Sequence, residues 1–273
     1  MSLPTTDFEL VRRLVAEDSG LALGEGKAYL VEARLAPIAE REGCDSVSAL
    51  IGRLRLDPGR LRADVAEAMT TNETSFFRDV HPFDALRDTV IPDILRTTGG
   101  QISFWSAAAS TGQEAYSLAM LMTDHFPVAT TTILATDLSR DVLARARSGC
   151  FSQLEVNRGL PAPLLVRHFA RDGSGWKVSE DIRRRVQFRE LNLVRPWPPL
   201  PRMDVILLRN ILIYLDAPAK RTILTQAERV LAPNGVLFLG GAETTYGLDD
   251  TWTRVQVGRT AFYRPANHDE GRR

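Results

Sequence analysis

The sequence predicts an α/β fold preceded by an all-helical segment. Residues 5 to 69 carry apolar side chains at helical spacing and no strand pattern. From residue 101 onward, short apolar runs alternate with helical patterns, the order expected of a largely parallel sheet. Between them lies FWSAAASTGQEAYSLAM (104–120), an apolar start, a run of tiny residues, one glycine and then a helical pattern. It reads as strand, tight turn and helix, the arrangement that builds a small-molecule site at the carboxyl end of a strand.

Composition narrows the function classes. Lys plus Arg equals Asp plus Glu, 34 each. The chain as a whole thus lacks the positive charge of a general nucleic-acid binder. Cys44 and Cys150 stand far apart in no metal-ligand spacing, and only four histidines are scattered along the chain. No zinc or other metal site is expected, and a reduced cytosolic setting fits both thiols. The start MSLPTTDFEL has no basic stretch followed by an apolar one, and no run approaches the ~20 apolar residues needed to span a bilayer.

In the helical part, Phe8, Val11, Leu14 and Val15 mark a first helix. Leu23 to Arg41 is the second, with Pro37 expected to kink or offset it. Ser46 to Leu54 is the third, capped by Ser46 or Ser48, and Asp57-Pro58-Gly59 opens a fourth that runs to about Met69. Arg53, Arg55, Arg60 and Arg62 cluster here with Asp57 alone nearby in sequence. They read either as a solvated face or as a basic dock for an acidic partner. TTNETSFFRD (70–79) follows, a linker with a helix cap or part of a site, its Phe76–Phe77 pair suited to anchor it.

His81 to Leu95 reads as a helix broken or offset at Pro92, and Gln101 to Trp105 as the first core strand. In the turn after it, Ser110-x-x-Gln113 and Thr111-x-x-Glu114 form overlapping capping boxes that predict a helix start, with the helix running to about His125. Gly112 is the only glycine in the turn, so a dinucleotide fingerprint is absent. A nucleoside without phosphates still fits. Thr131 to Thr136 is a second strand ending at Asp137. That carboxylate suits a ribose diol; alternatively Asp137 or Ser139 merely caps the helix Arg140 to Ser148, which Gly149 terminates.

A hairpin is expected at His168–Arg171 and Trp176–Ser179 around Asp172-Gly173-Ser174-Gly175. Val186 to Leu191 and Met203 to Leu208 are further strands. Ala217 to Leu231 is helical, Val236 to Gly240 is a strand, and Thr253–Val257 with Thr260–Arg264 make a closing hairpin. The tail NHDEGRR is expected to be disordered. Alternation ending in an antiparallel hairpin suits the seven-stranded mixed sheet of class I nucleoside-binding methyltransferases better than a dinucleotide dehydrogenase.

TTNETSFFRD, FWSAAASTGQEAYSLAM, ILATDLSRDVLARARSGCF (133–151), LNL (191–193), DVILLRNILIYLD (204–216) and LAPNGVLFLGGAE (231–243) then fall in the order of one family. Over nearly its whole length the chain resembles the CheR-type chemotaxis receptor methyltransferases. The resemblance implies a helical receptor-docking domain over 1–70 and a catalytic domain over 71–273, with a small antiparallel β insertion at about 160–186. It implies transfer of the methyl of S-adenosylmethionine to glutamate side chains on the cytoplasmic helical bundle of chemoreceptors. The product is a glutamate methyl ester, the other product S-adenosylhomocysteine, and the setting the cytoplasm.

Residue by residue, the resemblance implies that Arg78, with Asn72 and Thr74 around it, meets the methionine part of the cofactor. Ala107 passes under the ligand, Glu114 faces the amino group and Asp137 the ribose. Asn192 and Leu193 bracket adenine. Arg209 and Asn210 line the site near the methyl, and Tyr214 lies close to the incoming glutamate. Gln113 and Ala115 depart from the common pattern, where many relatives have glutamate and proline. The hairpin at Gly173–Gly175 looks short, which resembles the forms that do not depend on a receptor C-terminal pentapeptide. A carboxylate attacking a sulfonium methyl moves no proton and needs no general base, and the sequence offers no Ser/His/Asp or Cys/His set. Tyr214 with Arg78 or Arg209 is expected to orient the substrate carboxylate. In this reading Arg53, Arg55, Arg60 and Arg62 dock the acidic receptor helices. Two rivals stay open: an amino-methyltransferase acting on nucleic acid or protein amide, and a sensor that binds the cofactor without turnover. The chain is expected to be a monomer.

Overall fold

The computed structural model describes residues 3–266; the tail NHDEGRR lies outside the described residues. The chain divides into two compact units, residues 1–71 with 214–220, and residues 72–213 with 221–273.

The first unit is built on four helices, α1 (Thr5–Ser19), α2 (Ala28–Arg41), α3 (Val47–Leu56) and α4 (Gly59–Ala68). Their apolar stripes bury Phe8, Val11, Val15, Val31, Leu35, Leu50, Ile51 and Val65. Ser46 caps α3 by accepting from the Ala49 N–H at 3.1 Å. α2 starts at Ala28, five residues after the expected Leu23. The preceding stretch is held elsewhere: Ala22 N–H donates to the Tyr214 carbonyl at 2.8 Å and Asp216 N–H to that of Gly20 at 3.1 Å. Those bonds tie residues 214–216 to the helical unit, so Tyr214 belongs there and not with the sheet.

The second unit opens with α5 (His81–Ala85), a π turn (Leu86–Val90) and α6 (Ile91–Thr97). The helix widens by one residue just before Pro92, which supplies no N–H to the ladder. Strands β1 (Gln101–Ala107), β2 (Thr130–Asp137), β6 (Val186–Glu190), β7 (Met203–Leu208), β8 (Leu231–Leu239), β9 (Trp252–Val257) and β10 (Thr260–Pro265) form one sheet in the order β6-β2-β1-β7-β8-β10-β9. All neighbouring pairs from β6 to β8 are parallel, and β10 is antiparallel to both β8 and β9. Helices α7 (Gln113–His125), α8 (Arg140–Ser148) and α12 (Ala217–Val230) alternate with the strands. The sheet's interior, including Phe104, Val205, Leu207, Val236 and Phe238, is almost fully buried, as a parallel sheet requires.

A second, three-stranded sheet runs β3 (Cys150–Phe151), β5 (Gly175–Val178), β4 (Phe169–Asp172), all antiparallel. The hairpin is where the turn residues predict it, and β3 adds a strand from before residue 160. Short helices α9 (Gln153–Asn157), α10 (Ala162–His168) and α11 (Glu180–Arg183) fill the connections.

The strand order reverses between β1 and β7: β2 follows β1 on one side and β7 takes the other. The carboxyl ends of these strands frame the crevice where an open α/β sheet binds ligands.

Candidate active site

Three loops meet at that crevice, and the backbone is strained in all of them. The described non-glycine residues with positive φ are Phe77 (46°), Asp79 (67°), Val80 (54°), Ala108 (60°), Ser110 (51°) and Asn210 (59°). They fall in the 72–80 segment, the turn after β1 and the turn after β7. β-Branched Val80 at such an angle is a clear outlier. Strain of this kind costs about 1–3 kcal/mol per residue and persists where the surroundings over-determine the chain.

The turn after β1 runs Ala107 to Gly112. Helix α7 begins after Gly112, whose φ is 92° and which makes no side-chain cap, so the predicted capping boxes do not form. The reason lies in competing partners: Ser110 Oγ donates to the Asn72 carbonyl at 2.8 Å, and Thr111 Oγ1 to Gln113 Oε1 at 2.7 Å. A Cβ at position 112 would sit 3.1 Å from both Ala146 Cβ and Phe188 Cζ, so glycine serves the turn twice over.

The Ser110–Asn72 bond ties the 72–80 segment to the turn. Phe76 is fully buried, edge-on to Phe151 at 5.0 Å and to Phe169 at 5.6 Å, and Phe77 packs on Phe83 at 5.1 Å. Phe77 N–H donates to Ser117 Oγ at 3.0 Å. The aromatic pair thus anchors the segment to the small sheet on one side and α5 on the other. Arg78, half-buried, donates to the Glu73 carbonyl at 2.9 Å. Glu73 is itself paired with Arg158. The Arg158 guanidinium, through its hydrogen bond and its charge with Arg78 behind it, holds the Glu73 carboxyl below its usual range.

At the end of β7 the Arg209 side chain is only 1% exposed. Its guanidinium donates to Glu114 Oε2 at 2.8 Å, Asp79 Oδ2 at 2.7 Å and the Arg78 carbonyl at 2.8 Å. It also lies 5.9 Å from the Phe83 ring centre. Glu114 Oε1 accepts from Ser106 Oγ at 2.7 Å. Arg209 Nε is buried with no hydrogen-bond partner among the described residues. Two carboxylates against one cation leave the cluster net negative.

Asp137 ends β2 and is buried. Its Oδ2 accepts from Ser110 N–H at 2.8 Å and its Oδ1 from Ser139 N–H at 2.9 Å. Ser139, not Asp137, caps α8, accepting from Val142 N–H at 3.2 Å. After β6, Asn192 Oδ1 accepts from Val194 N–H at 3.0 Å, an Asx turn, and the Leu193 carbonyl accepts from Trp197 Nε1 at 3.0 Å. Trp197 stands edge-on to Trp105, with ring centres 4.7 Å apart.

The geometry therefore brings Asn72, Arg78, Ala107, Glu114, Asp137, Arg209 and Asn210 onto connected loops of one crevice, with Asn192 and Leu193 after the neighbouring strand β6. Thr74 lies in the same 72–80 segment, half-buried. Tyr214 sits in the helical unit. Sequence alone does not single out Asp79 or Ser106, and it marks Ser110 only as a helix cap. Asp79 and Ser106 stand beside residues it singles out, but only the fold shows that they bond Arg209 and Glu114. A nucleoside carrying an amino-acid tail fits this donor set: tiny residues under a close approach, an acid for hydroxyls, and carboxylate and guanidinium groups for a zwitterion.

All four arginines of the helical unit have acidic partners, and for Arg53, Arg55 and Arg62 these lie more than ten residues away in sequence. Arg53 pairs with Glu42 at 3.5 Å, Arg55 with buried Asp7 at 2.7 Å and Arg60 with Asp64 at 3.8 Å. Arg62 forks onto Asp18 at 2.5 Å and Glu17 at 2.9 Å.

Comparison with known proteins identifies the family of both units. The family described as "CheR methyltransferase, SAM binding domain" matches residues 72–261, and "CheR methyltransferase, all-alpha domain" matches residues 6–70. Chemotaxis protein methyltransferase 1 of Pseudomonas aeruginosa is 41% identical over 273 residues, covering 97% of this chain and 99% of its own. Chemotaxis protein methyltransferase Cher2 of Pseudomonas putida is 40% identical, with coverage of 97% and 99%. Chemotaxis protein methyltransferase 1 of Vibrio cholerae is 36% identical, with coverage of 92% and 94%. Among solved structures, the glycopeptide N-methyltransferase MtfA with sinefungin aligns at a TM-score of 0.36 and 16% identity, over 60% of this chain and 53% of its own. Two family models that together match residues 6–70 and 72–261, and relatives up to 41% identical over nearly the whole length, place this chain in the CheR family of S-adenosylmethionine-binding methyltransferases.

Proposed function

We propose that the chain methylates glutamate side chains of chemoreceptors, giving glutamate methyl esters, in the cytoplasm and as a monomer. The observation that carries the reading is the convergence of three loops on a crevice whose carboxylates, Asp79, Glu114 and Asp137, are each engaged by protein donors, with no histidine or cysteine paired with them among the described residues. S-Adenosylmethionine, when bound, supplies an electrophilic methyl on a sulfonium. Charge cancels as a carboxylate bonds to that methyl, so the site's task is alignment and exclusion of water rather than proton transfer.

In this reading Asp137 accepts from the ribose hydroxyls and Ala107 lets the backbone pass close to the ligand. Asn192 and Leu193 flank the adenine. Asn72, Thr74, Glu114 and Asn210 hold the methionine part. Of the two arginines expected to orient carboxylates, Arg209 is enclosed by Glu114 and Asp79 and is better suited to fixing those acids than to meeting a new one. Arg78, half-buried and bonded to a main-chain oxygen, is the better partner for a carboxylate. Tyr214 is proposed to orient the substrate glutamate. Arg53 and Arg60, the more exposed of the four helical-unit arginines, are the stronger candidates for meeting acidic receptor helices. A two-residue turn at Asp172–Gly175 fits independence from a pentapeptide tether.

The test is transfer of radiolabelled methyl to membranes holding the same organism's receptors, followed by mild base. Label released as methanol supports the carboxyl ester. Base-stable label overturns it in favour of methylated nitrogen. Receptors truncated at the C-terminus should be labelled as well as full-length ones; loss of label on truncation rejects the independence from a tether.

A further inference from the structure

The loop that carries Arg209 and Asn210 is held from the neighbouring strand by one carboxylate. Glu243, buried just past the end of β8, accepts three main-chain hydrogen bonds. Asn210 N–H donates to its Oε2 at 2.8 Å, Gly240 N–H to the same oxygen at 2.6 Å, and Ile213 N–H to Oε1 at 3.2 Å. Two of those donors lie on the turn after β7 and one at the end of β8. Asn210 is held there at φ 59°, in the left-handed region that asparagine enters more readily than other non-glycine residues. The third element is Gly240. A Cβ on it would fall 2.7 Å from both Asn210 Nδ2 and Glu243 Oε2, and 2.9 Å from Asn210 N. Real side chains do not approach so closely, so the two turns pack backbone against side chain only because this position is bare.

We propose that Glu243 is a positioning residue. Its carboxylate, seated against Gly240, holds the Arg209–Asn210 turn in its left-handed form through main-chain hydrogen bonds and so sets the cofactor-facing geometry of Asn210. A carboxylate suits the role because it accepts only. An amide of the same shape would turn an N–H₂ towards at least one of three N–H donors. The inference rests on the reading of Asn210 as a cofactor-site residue, and the experiment separates the two.

Affinity for S-adenosylhomocysteine is measured by calorimetry on the full chain, with no receptor present, beside the thermal midpoint of each variant. Asn210→Ala tests the underlying reading: unchanged affinity overturns both it and the role of Glu243. Glu243→Gln is expected to weaken binding about tenfold, with Glu243→Asp recovering part of the loss. The Gln effect is expected to be strongly non-additive with Asn210→Ala, and additive with Asp137→Asn on the far side of β1. A carboxylate that merely stabilised the fold would lower the midpoint without that coupling. Additive effects with Asn210→Ala, or wild-type affinity in Glu243→Gln, overturn the proposal while leaving the cofactor site intact. Should the Gln variant not fold, Gly240→Ala carries the test with Glu243 retained. It is expected to weaken binding at least tenfold, and wild-type affinity there overturns the role.

Discussion

The arginines of the two units are the same residue in opposite circumstances. In the helical unit Arg53, Arg55, Arg60 and Arg62 each meet a carboxylate with the guanidinium at least a third exposed to water. Beside the sheet, Arg209 meets two carboxylates and a carbonyl with its side chain 1% exposed. An exposed pair contributes about 0–1 kcal/mol, because water already solvates both charges and side-chain entropy opposes the pairing. A buried pair that loses one partner costs about 3–5 kcal/mol, because the charge left behind has neither water nor counter-ion. One arginine is therefore bound into the architecture of its site; of the other four, Arg53 and Arg60 are the most open to water, while Arg55 reaches down to buried Asp7.

That contrast is most easily broken at Arg209. Arg209→Ala is expected to abolish methyl transfer and to lower stability in urea unfolding by about 3–5 kcal/mol, since Glu114, only 12% exposed, loses its counter-charge, whereas Asp79, 49% exposed, stays solvated. Arg209→Lys is expected to restore charge but little activity, because an ammonium lacks the fork that reaches three acceptors. An Arg209→Ala protein with wild-type stability would mean that water reaches the cluster.

Gly112→Ala tests whether the strain around the crevice is as costly as its charge. With φ at 92° and two neighbours at 3.1 Å, the added methyl is expected to destabilise by about 1–3 kcal/mol. Chemical denaturation measures it, and no change would show that the turn relaxes freely. In the helical unit Ser46→Ala should cost about 1 kcal/mol by loss of the α3 cap, with cofactor affinity unchanged. Arg62→Ala is expected to cost less than about 1 kcal/mol at low salt, and the difference should vanish near 1 M salt. A larger, salt-insensitive loss would put Arg62 in the same class as Arg209.

The smallest effect sharpens the comparison within the catalytic unit. Glu73 and Arg158 form an exposed pair beside the crevice, and the pairing lowers the Glu73 pKa. A lowered carboxylate pKa stabilises the folded state fully above the unfolded value of about 4.3 and loses that contribution as pH falls through the folded value. An NMR titration should find Glu73 below that reference, with Arg158→Ala returning it. Mid-pH stability should barely change, as for the helical-unit pairs. Exposure, not the unit a pair belongs to, decides its worth.

Much of this protein is written locally. Period-3.6 stripes set α1, α3 and α4. Continuous apolar runs set β1, β2 and β7, and the Gly-containing turn at 172–175 set the small hairpin, because each depends on residues close in the chain. The motif after β1 and the acid after β2 also announce a ligand site, since the turn and the strand end are contiguous segments. Four things were not legible, and the reason is the same each time. The capping boxes at Ser110 and Thr111 gave way to hydrogen bonds with Asn72 and Gln113. The late start of α2 and the placing of Tyr214 follow from a pairing between residues 20–22 and 214–216. The arginine cluster looked unopposed because Asp7, Asp18 and Glu42 reach it from other helices or connections. Glu243 closes the terminal motif of a strand, yet its partners on Asn210 and Ile213 lie some thirty residues away. The chain by itself determined which segments are helix, strand and turn, and which chemistry they carry. Which polar groups satisfy one another was decided only when the fold brought distant donors and acceptors into a space without water, where every one of them needs a partner.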